Sequence, residues 1–179
     1  NGTRTTETLK AYKAHVKGTI VACSGSKDLR LIVINSGGHL NLESGMITQD
    51  KNNCVKNLVY AAGSSAISVD GGYVCGGYCP EGAAGAGISV ENSTLDISDG
   101  VIAGNYAPSG GGVYALNSTV NMVGGIISGN GTNKDQRGYG AGICAENSSV
   151  TITNGYITNN KYQFYQDTDS TGWKHLGNG

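Results

Sequence analysis

The chain has 179 residues, of which 30 are glycine and only two are proline, and its formal net charge at pH 7 is −1. This length fits one domain, and the lack of a glycine at every third position excludes collagen. A nearly neutral chain lacks the basic surplus of a nucleic-acid-binding protein. No apolar run reaches the roughly 20 residues of a membrane-spanning helix. We therefore expect neither a nucleic-acid partner nor a membrane partner.

The chain begins at Asn1 without a methionine, and no signal peptide precedes the regular part of the sequence. We therefore expect it to be a monomeric module of a longer chain.

Residues 1–28 precede the regular part of the chain. Leu9, Tyr12 and Val16 have the spacing of one face of a short amphipathic helix, which would cover the open end of a stack of strands. Residues 18–20 instead have the pattern that begins a repeat unit. The segment is thus predicted to be an N-terminal cap or a partial coil.

Residues 29–160 contain a unit that recurs five times, and its clearest copy is GGGVYALNSTVNMVGGIISGN at residues 110–130. Equivalent apolar positions are separated by 27, 28, 25 and 30 residues, and they are Leu40, Ile67, Leu95, Val120 and Val150. The differences in length all fall after the Asn or Asp that ends a copy. This pattern is typical of a solenoid with one variable loop in each turn.

Apolar and polar residues alternate within each copy, as in Val120, Asn121 and Met122. A period of two indicates β-strands, and each copy offers three, near residues 113–115, 120–122 and 126–128. One copy cannot bury its inner face, but copies stacked about 4.8 Å apart can. The predicted fold is all-β, a right-handed parallel β-helix of about five coils. A β-sandwich is the alternative, although a sandwich has no reason to repeat its loop position.

Equivalent positions in the copies support this fold. One inward ladder is predicted from the equivalent apolar positions Leu40, Ile67, Leu95, Val120 and Val150. A second is predicted from Ile47, Val74, Ile102, Ile127 and Ile157. A glycine at the same place in every copy predicts a bend with positive φ, at Gly45, Gly72, Gly100, Gly125 and Gly155. A corner with either a side-chain amide ladder or residues in the left-handed conformation is predicted at the end of the third strand, from Asp50, Asn105, Asn130 and Asn160. Three Asn-x-Ser/Thr triplets share one column and are interpreted as turns, at Asn92, Asn117 and Asn147.

Residues 161–179 depart from the repeat and carry Tyr162, Phe164, Tyr165 and Trp173. We interpret them as a C-terminal cap or tail over the last coil.

The unit at residues 110–130 resembles the repeat of secreted β-helix proteins of the pectate-lyase-like superfamily, which are common among bacterial adhesin-like surface proteins. The resemblance covers roughly residues 30–160. It implies a secreted or cell-surface location and a polysaccharide partner. Members include lyases, hydrolases, adhesins and carbohydrate-binding modules, and the fold does not choose among them. Catalytic members have about twice as many coils, which favours a binding module here.

Aromatic residues in loops provide one candidate site. Tyr78, Tyr106 and Tyr139 follow third strands on one edge, and aromatic rings stack on the apolar faces of sugars. Asp135 and Arg137 in the longest loop would add hydrogen-bonding groups, and Trp173 would join from the tail. This set is predicted to form a sugar-binding rim, unless the tyrosines only pack against neighbouring loops.

Outward carboxylates provide a second candidate. Glu43 and Asp70 are equivalent residues of adjacent coils, close enough for a retaining glycosidase pair. With Asp99 they could instead hold a calcium ion, although solvated surface acids explain them equally well. No other cofactor is expected.

The five cysteines form no pattern of metal ligands. Cys54 and Cys79 lie at similar offsets in successive loops and are predicted to form a disulfide, which suits an extracellular protein. Cys144 lies beside Tyr114 in an outward column and is expected to be a free thiol.

One apolar stripe could form an exposed shelf. It comprises Met46, Tyr73, Val101, Ile126 and Tyr156.

Together these patterns predict a non-catalytic, extracellular module that binds a polysaccharide such as a plant cell-wall or host glycan. The alternatives are an adhesin or spacer segment of a bacterial surface protein, and a small polysaccharide lyase or glycoside hydrolase that uses Glu43 and Asp70.

Overall fold

The computed structural model describes residues 18–22, 29–50, 55–79, 84–133 and 139–163, which form strands and turns without a helix. In chain order the strands are β1 (Thr19–Ala22), β2 (Arg30–Ile34), β3 (His39–Leu42), β4 (Met46–Gln49), β5 (Asn57–Ala62), β6 (Ala66–Cys75), β7 (Ile88–Glu91), β8 (Thr94–Ala103), β9 (Tyr106–Ala107), β10 (Val113–Leu116), β11 (Thr119–Met122), β12 (Ile126–Ser128), β13 (Gly131–Asn133), β14 (Ile143–Glu146), β15 (Ser149–Ile152), β16 (Tyr156–Thr158) and β17 (Lys161–Gln163). These ranges contain no helix that is long and apolar enough to span a membrane.

The strands form three parallel sheets that wind into a β-solenoid of about four turns. Sheet A contains β1, β3, β4, β6, β8, β11, β12, β15 and β16. Sheet B contains β2, β5, β7, β10 and β14, and sheet C contains β9, β13 and β17. The five strands of sheet B mark five stacked rungs, and the chain makes four turns between the first and the last. The prediction of an all-β parallel β-helix is confirmed.

Both predicted inward ladders are present in the strand register. Leu40, Ile67, Leu95, Val120 and Val150 are successive partners across sheet A. The second ladder pairs Ile47, Val74, Ile102, Ile127 and Ile157, and Ile20 of β1 extends it by one rung. Val120 and Ile127 are completely buried, whereas Val150 and Ile157 are 36% and 40% exposed. The last rung is less buried because no described residue stacks beyond it.

Sheet A bends at the predicted glycine column. All five glycines have positive φ, between 69° and 108°. A side chain there would also collide with the rung below, since a Cβ on Gly125 would lie 2.9 Å from the carbonyl oxygen of Asp99. Glycine is therefore required both by conformation and by space.

A ladder of buried asparagines fills the corner after the third strand, as predicted. Asn105, Asn130 and Asn160 are at most 4% exposed. The Asn130 amide nitrogen donates to Asn160 Oδ1 at 2.9 Å and to the Ile102 carbonyl at 3.0 Å, while Asn130 Oδ1 accepts from the Asn105 backbone N–H at 3.0 Å. Each side chain thus satisfies backbone groups that water cannot reach.

Asp50 was predicted to join this ladder, and that prediction is wrong. Asp50 is exposed, whereas the three asparagines of the ladder are at most 4% exposed. Gln49 is instead completely buried, and its amide group contacts the backbone of Val55 and Tyr78. The ladder therefore covers only the last three rungs.

The opposite corner has a serine ladder that follows the predicted turn residues. Asn92, Asn117 and Asn147 have φ of 48° to 50°, so their interpretation as turns is confirmed. The Ser93 N–H donates to Ser118 Oγ at 3.1 Å, and the Ser118 N–H donates to Ser148 Oγ at 2.9 Å. The Asn-x-Ser/Thr triplets thus have a structural role in every rung that carries them.

The two ends of the chain are only partly described. Residues 19–22 form β1, which pairs with β4 as the partial-coil interpretation requires, whereas the helix predicted over residues 5–17 lies outside the described residues. In the C-terminal segment, β17 adds a third strand to sheet C, and residues 164–179 lie outside the described residues. Sheet C itself was not predicted, because its strands of two or three residues are too short to show alternation.

We expect Asn130→Ala to lower the free energy of unfolding by about 3 kcal/mol, because it leaves the buried N–H of Asn105 and the carbonyl of Ile102 without partners. Urea unfolding followed by circular dichroism would measure the loss. Asn121→Ala is the matched control, because this partly exposed amide donates only to Asp96. Equal losses in the two variants would contradict the structural role of the ladder.

We also expect Gly124→Ala to destabilise the protein by about 2 kcal/mol, because a Cβ there would clash with the carbonyl oxygen of Ser98. Gly129→Ala distinguishes a steric clash from backbone strain. The φ of Gly129 is +65°, but no atom lies within 4 Å of the position that a Cβ would take. That variant should lose about 1 kcal/mol from backbone strain alone. Thermal unfolding of both variants would compare the two losses of stability. A larger loss in Gly129→Ala than in Gly124→Ala would contradict this prediction.

Candidate functional site

The outer face of sheet B carries a row of polar and aromatic side chains. Alternation along β10 places Val113 and Ala115 in the core, completely buried, and leaves Tyr114 and Leu116 partly exposed on the outside. The same alternation applies to β5 and β7, where Tyr60 and Glu91 are partly exposed. We call this set of five side chains the tyrosine–glutamate row. Its members are Arg30, Tyr60, Glu91, Tyr114 and Glu146.

The row contains two tyrosine–glutamate pairs with the same geometry. Tyr60 lies opposite Ser89 on the next strand, and Glu91 is two residues further along that strand. Tyr114 lies opposite Cys144, and Glu146 is again two residues further along. Diagonal neighbours of this kind are within reach of long side chains. The Tyr60 hydroxyl donates to Glu91 Oε2 at 2.7 Å, and Glu146 lies close enough to the Tyr114 hydroxyl to raise its pKa.

Arg30 begins the row on the first rung. Its guanidinium carbon lies 3.7 Å from the centroid of the Tyr60 ring, a cation–π contact. Its Nε also donates to Asn57 Oδ1 at 3.2 Å. Asn57 is 2% exposed and donates to the carbonyls of Ala84 and Gly85. The guanidinium is therefore held against one face of Tyr60 by a buried side chain.

The surroundings of both tyrosines favour the protonated phenol. Burial and the negative charge of Glu146 raise the pKa of Tyr114 from its ordinary 10.0 to about 12. Burial and the hydrogen bond to Glu91 raise the pKa of Tyr60, against a smaller opposite effect of Arg30. Near neutral pH both hydroxyls are therefore protonated, and that of Tyr60 donates to Glu91.

Cys144 is a free thiol that is 7% exposed, so the expectation for it is confirmed. Burial raises its pKa, and the charge of Glu146 adds to this effect. A protonated, covered thiol is a poor nucleophile. Cys144 therefore packs against Tyr114 without adding reactivity to the row.

The structure describes three members of the predicted rim on the loop edge. The rings of Tyr78 and Tyr106 are stacked with centroids 5.3 Å apart. Tyr106 is only 9% exposed, and its other side faces Gly131, so it supports Tyr78 and offers neither face to a ligand. Tyr139 is 60% exposed but precedes sheet B, beside Ser109. Asp135, Arg137 and Trp173 lie outside the described residues.

The predicted acidic residues lie on the outer face of sheet A. Glu43 accepts a hydrogen bond from Asn41 at 3.1 Å, and Asp70 accepts one from Ser98. Asp99 pairs with Asp70 across a bulge in the register of β6 and β8. Among the described residues, no three His, Cys, Asp or Glu side chains are grouped so that they could hold a metal ion. The calcium site at Glu43, Asp70 and Asp99 stays a prediction.

Two other sequence predictions have partial structural counterparts. Cys79 is completely buried, but Cys54 lies outside the described residues, so their disulfide stays a prediction.

The apolar stripe is in register across sheet A. It is not a uniform shelf, because exposure rises along it from 2% at Met46 to 38% at Ile126 and 71% at Tyr156.

Sequence reasoning missed the tyrosine–glutamate row. The repeat alignment placed Tyr114 and Cys144 in one outward column, and that column also contains Tyr60. A glutamate two residues after this column occurs on the third and fifth rungs, at Glu91 and Glu146. The signal was therefore present, but it crosses from one copy to the next and appears only when the copies are stacked.

Comparisons with protein-family models, with curated proteins and with solved structures find no match for this chain. The parallel β-helix is established by the structure itself, whereas membership of the pectate-lyase-like superfamily remains a proposal.

We expect alkaline titration, followed by phenolate absorbance, to show one tyrosine ionising near pH 12 that is absent from Tyr114→Phe. In Glu146→Gln this step should move to lower pH but stay above 10, because burial remains. Between pH 10 and about 12 the folded state holds a proton that the unfolded state has lost, so Tyr114 makes stability fall as pH rises through this range. An unchanged step in Glu146→Gln would contradict the pairing.

Proposed function

We propose that this chain is a non-catalytic, secreted or cell-surface module that binds a polysaccharide, such as a plant cell-wall or host glycan. The observation that carries the proposal is the tyrosine–glutamate row. Its members extend over all five rungs of sheet B. With neighbouring strands about 4.8 Å apart, the row is about 19 Å long, and a long, narrow strip suits an extended polymer.

The chemistry of the row suits sugars. A tyrosine ring offers an apolar face for stacking and a hydroxyl for hydrogen bonding. Glu91 and Glu146 offer acceptor oxygens, and Arg30 offers donors in a planar fork. Because Arg30 already covers one face of Tyr60, Tyr114 is the row's principal ring for stacking.

The row is preorganised for a ligand. Tyr60 is held by Glu91 and by the Arg30 guanidinium, and Arg30 is held by the buried Asn57. Side chains that are already ordered lose little conformational entropy on binding. The rim predicted on the loop edge, with Tyr78 and Tyr139, is a second location where the same ligand could extend.

The test is native affinity electrophoresis of the full chain through gels that contain xylans, glucans, mannans, pectins or mucin. We expect retardation by at least one polysaccharide. Tyr114→Ala should weaken it about tenfold, which is the effect of losing roughly 1.4 kcal/mol of stacking and hydrogen bonding. Tyr114→Phe should weaken it less, because the ring remains.

Tyr156→Ala is the matched control, since Tyr156 is 71% exposed but lies on sheet A. Loss of binding in Tyr139→Ala but not in Tyr114→Ala would place the ligand on the loop edge. Equal mobility in every gel would refute the binding proposal and favour an adhesin or spacer. Release of sugar products that stops in Glu43→Gln or Asp70→Asn would instead establish a lyase or hydrolase.

A further inference from the structure

We infer that the tyrosine–glutamate row selects uncharged polysaccharides and discriminates against polyanionic ones, such as those rich in uronates or sulfate groups. This inference rests on the proposed function and specifies its class of ligand. It follows from the direction of the hydrogen bonds in the row and from the charges on the outer faces of the solenoid.

The direction of the hydrogen bonds makes the row mainly an acceptor. The Tyr60 hydroxyl donates its proton to Glu91 and has none left for a ligand, and Glu146 is the carboxylate that faces the Tyr114 hydroxyl. An ionised carboxylate has about four lone-pair sites, of which the tyrosine uses one. The remaining sites on Glu91 and Glu146 require ligand groups that donate, which the hydroxyls of a neutral sugar do. A ligand carboxylate or sulfate has no proton to donate.

The single cation of the row is already engaged. Arg30 lies over the Tyr60 ring and donates to Asn57. An anionic ligand would have to compete for it while lying beside Glu91. Like charges placed together across an interface are strongly unfavourable.

The outer face of sheet A offers a polyanion no better surface. It carries Glu43, Asp70, Asp96 and Asp99, and the described residues as a whole contain seven Asp and Glu against three Lys and Arg. The complete chain has a net charge of only −1. Selection therefore depends on where the carboxylates lie and not on the overall charge of the protein.

The experiment compares one polymer in two charge states. Native affinity electrophoresis is run in gels containing xyloglucan, arabinoxylan or galactomannan, and in gels containing the same polymers after oxidation of primary hydroxyls to carboxylates. Polygalacturonate and alginate serve as natural polyanions. Each gel is run at about 20 mM and at about 0.5 M salt, so that screening changes while the polymer does not.

We expect retardation by at least one neutral polymer, with little dependence on salt. Oxidation of that polymer should weaken binding about tenfold at low salt, and high salt should restore part of it. The variant Glu91→Gln/Glu146→Gln should bind the oxidised polymer more tightly than the parent does. The control Asp50→Asn/Asp96→Asn changes the net charge equally but lies outside the row, and it should behave like the parent.

Binding only to polyanions, or an equal gain in both double variants, would overturn the inference and leave polysaccharide binding intact. Binding to none of the polymers would overturn the proposed function itself and this inference with it.

Discussion

The fixed register between successive rungs is the constraint on which the rest of this structure depends. A strand in any rung can bury one face only against equivalent residues of the rungs above and below. At the corners the backbone turns inward, where its N–H and C=O groups lose access to water. The asparagine and serine ladders satisfy those groups and also set the height at which each rung lies. Core burial and corner hydrogen bonding therefore enforce the same register.

This register also builds the outer surface. Tyr114 and Glu146 are 32 positions apart in the sequence, yet they are diagonal neighbours on paired strands because the rungs stack without slipping. The same holds for Tyr60 and Glu91. A slip of one residue in sheet B would turn these side chains into the core. The interactions that stabilise the interior thus also keep the row in place, although none of its members belongs to the core.

The sequence was sufficient to predict the interior, because alternation and period are local properties that every copy repeats. Ile102, Gly100 and Asn130 were each assigned correctly from their position in a copy. Asp50 was misassigned because the buried side chain at this corner is that of Gln49, and the sequence does not show which of two adjacent polar residues turns inward. The candidate site was missed for a related reason. A tyrosine in one copy pairs with a glutamate in the next, and the loop between them varies in length.

The stacked arrangement makes stability a property of neighbouring rungs and not of the whole chain at once. Among the described residues, paired strands lie about 25 to 30 residues apart in the sequence, so each rung is held by its immediate neighbours. The described rungs at both ends are the least covered, since Ile20 and Leu29 are 51% and 57% exposed and Ile152 is 49% exposed. Opening can therefore spread inward from the outer rungs, one rung at a time. Tyr114 and Glu91, on the fourth and third rungs, are among the later residues that such a process would reach.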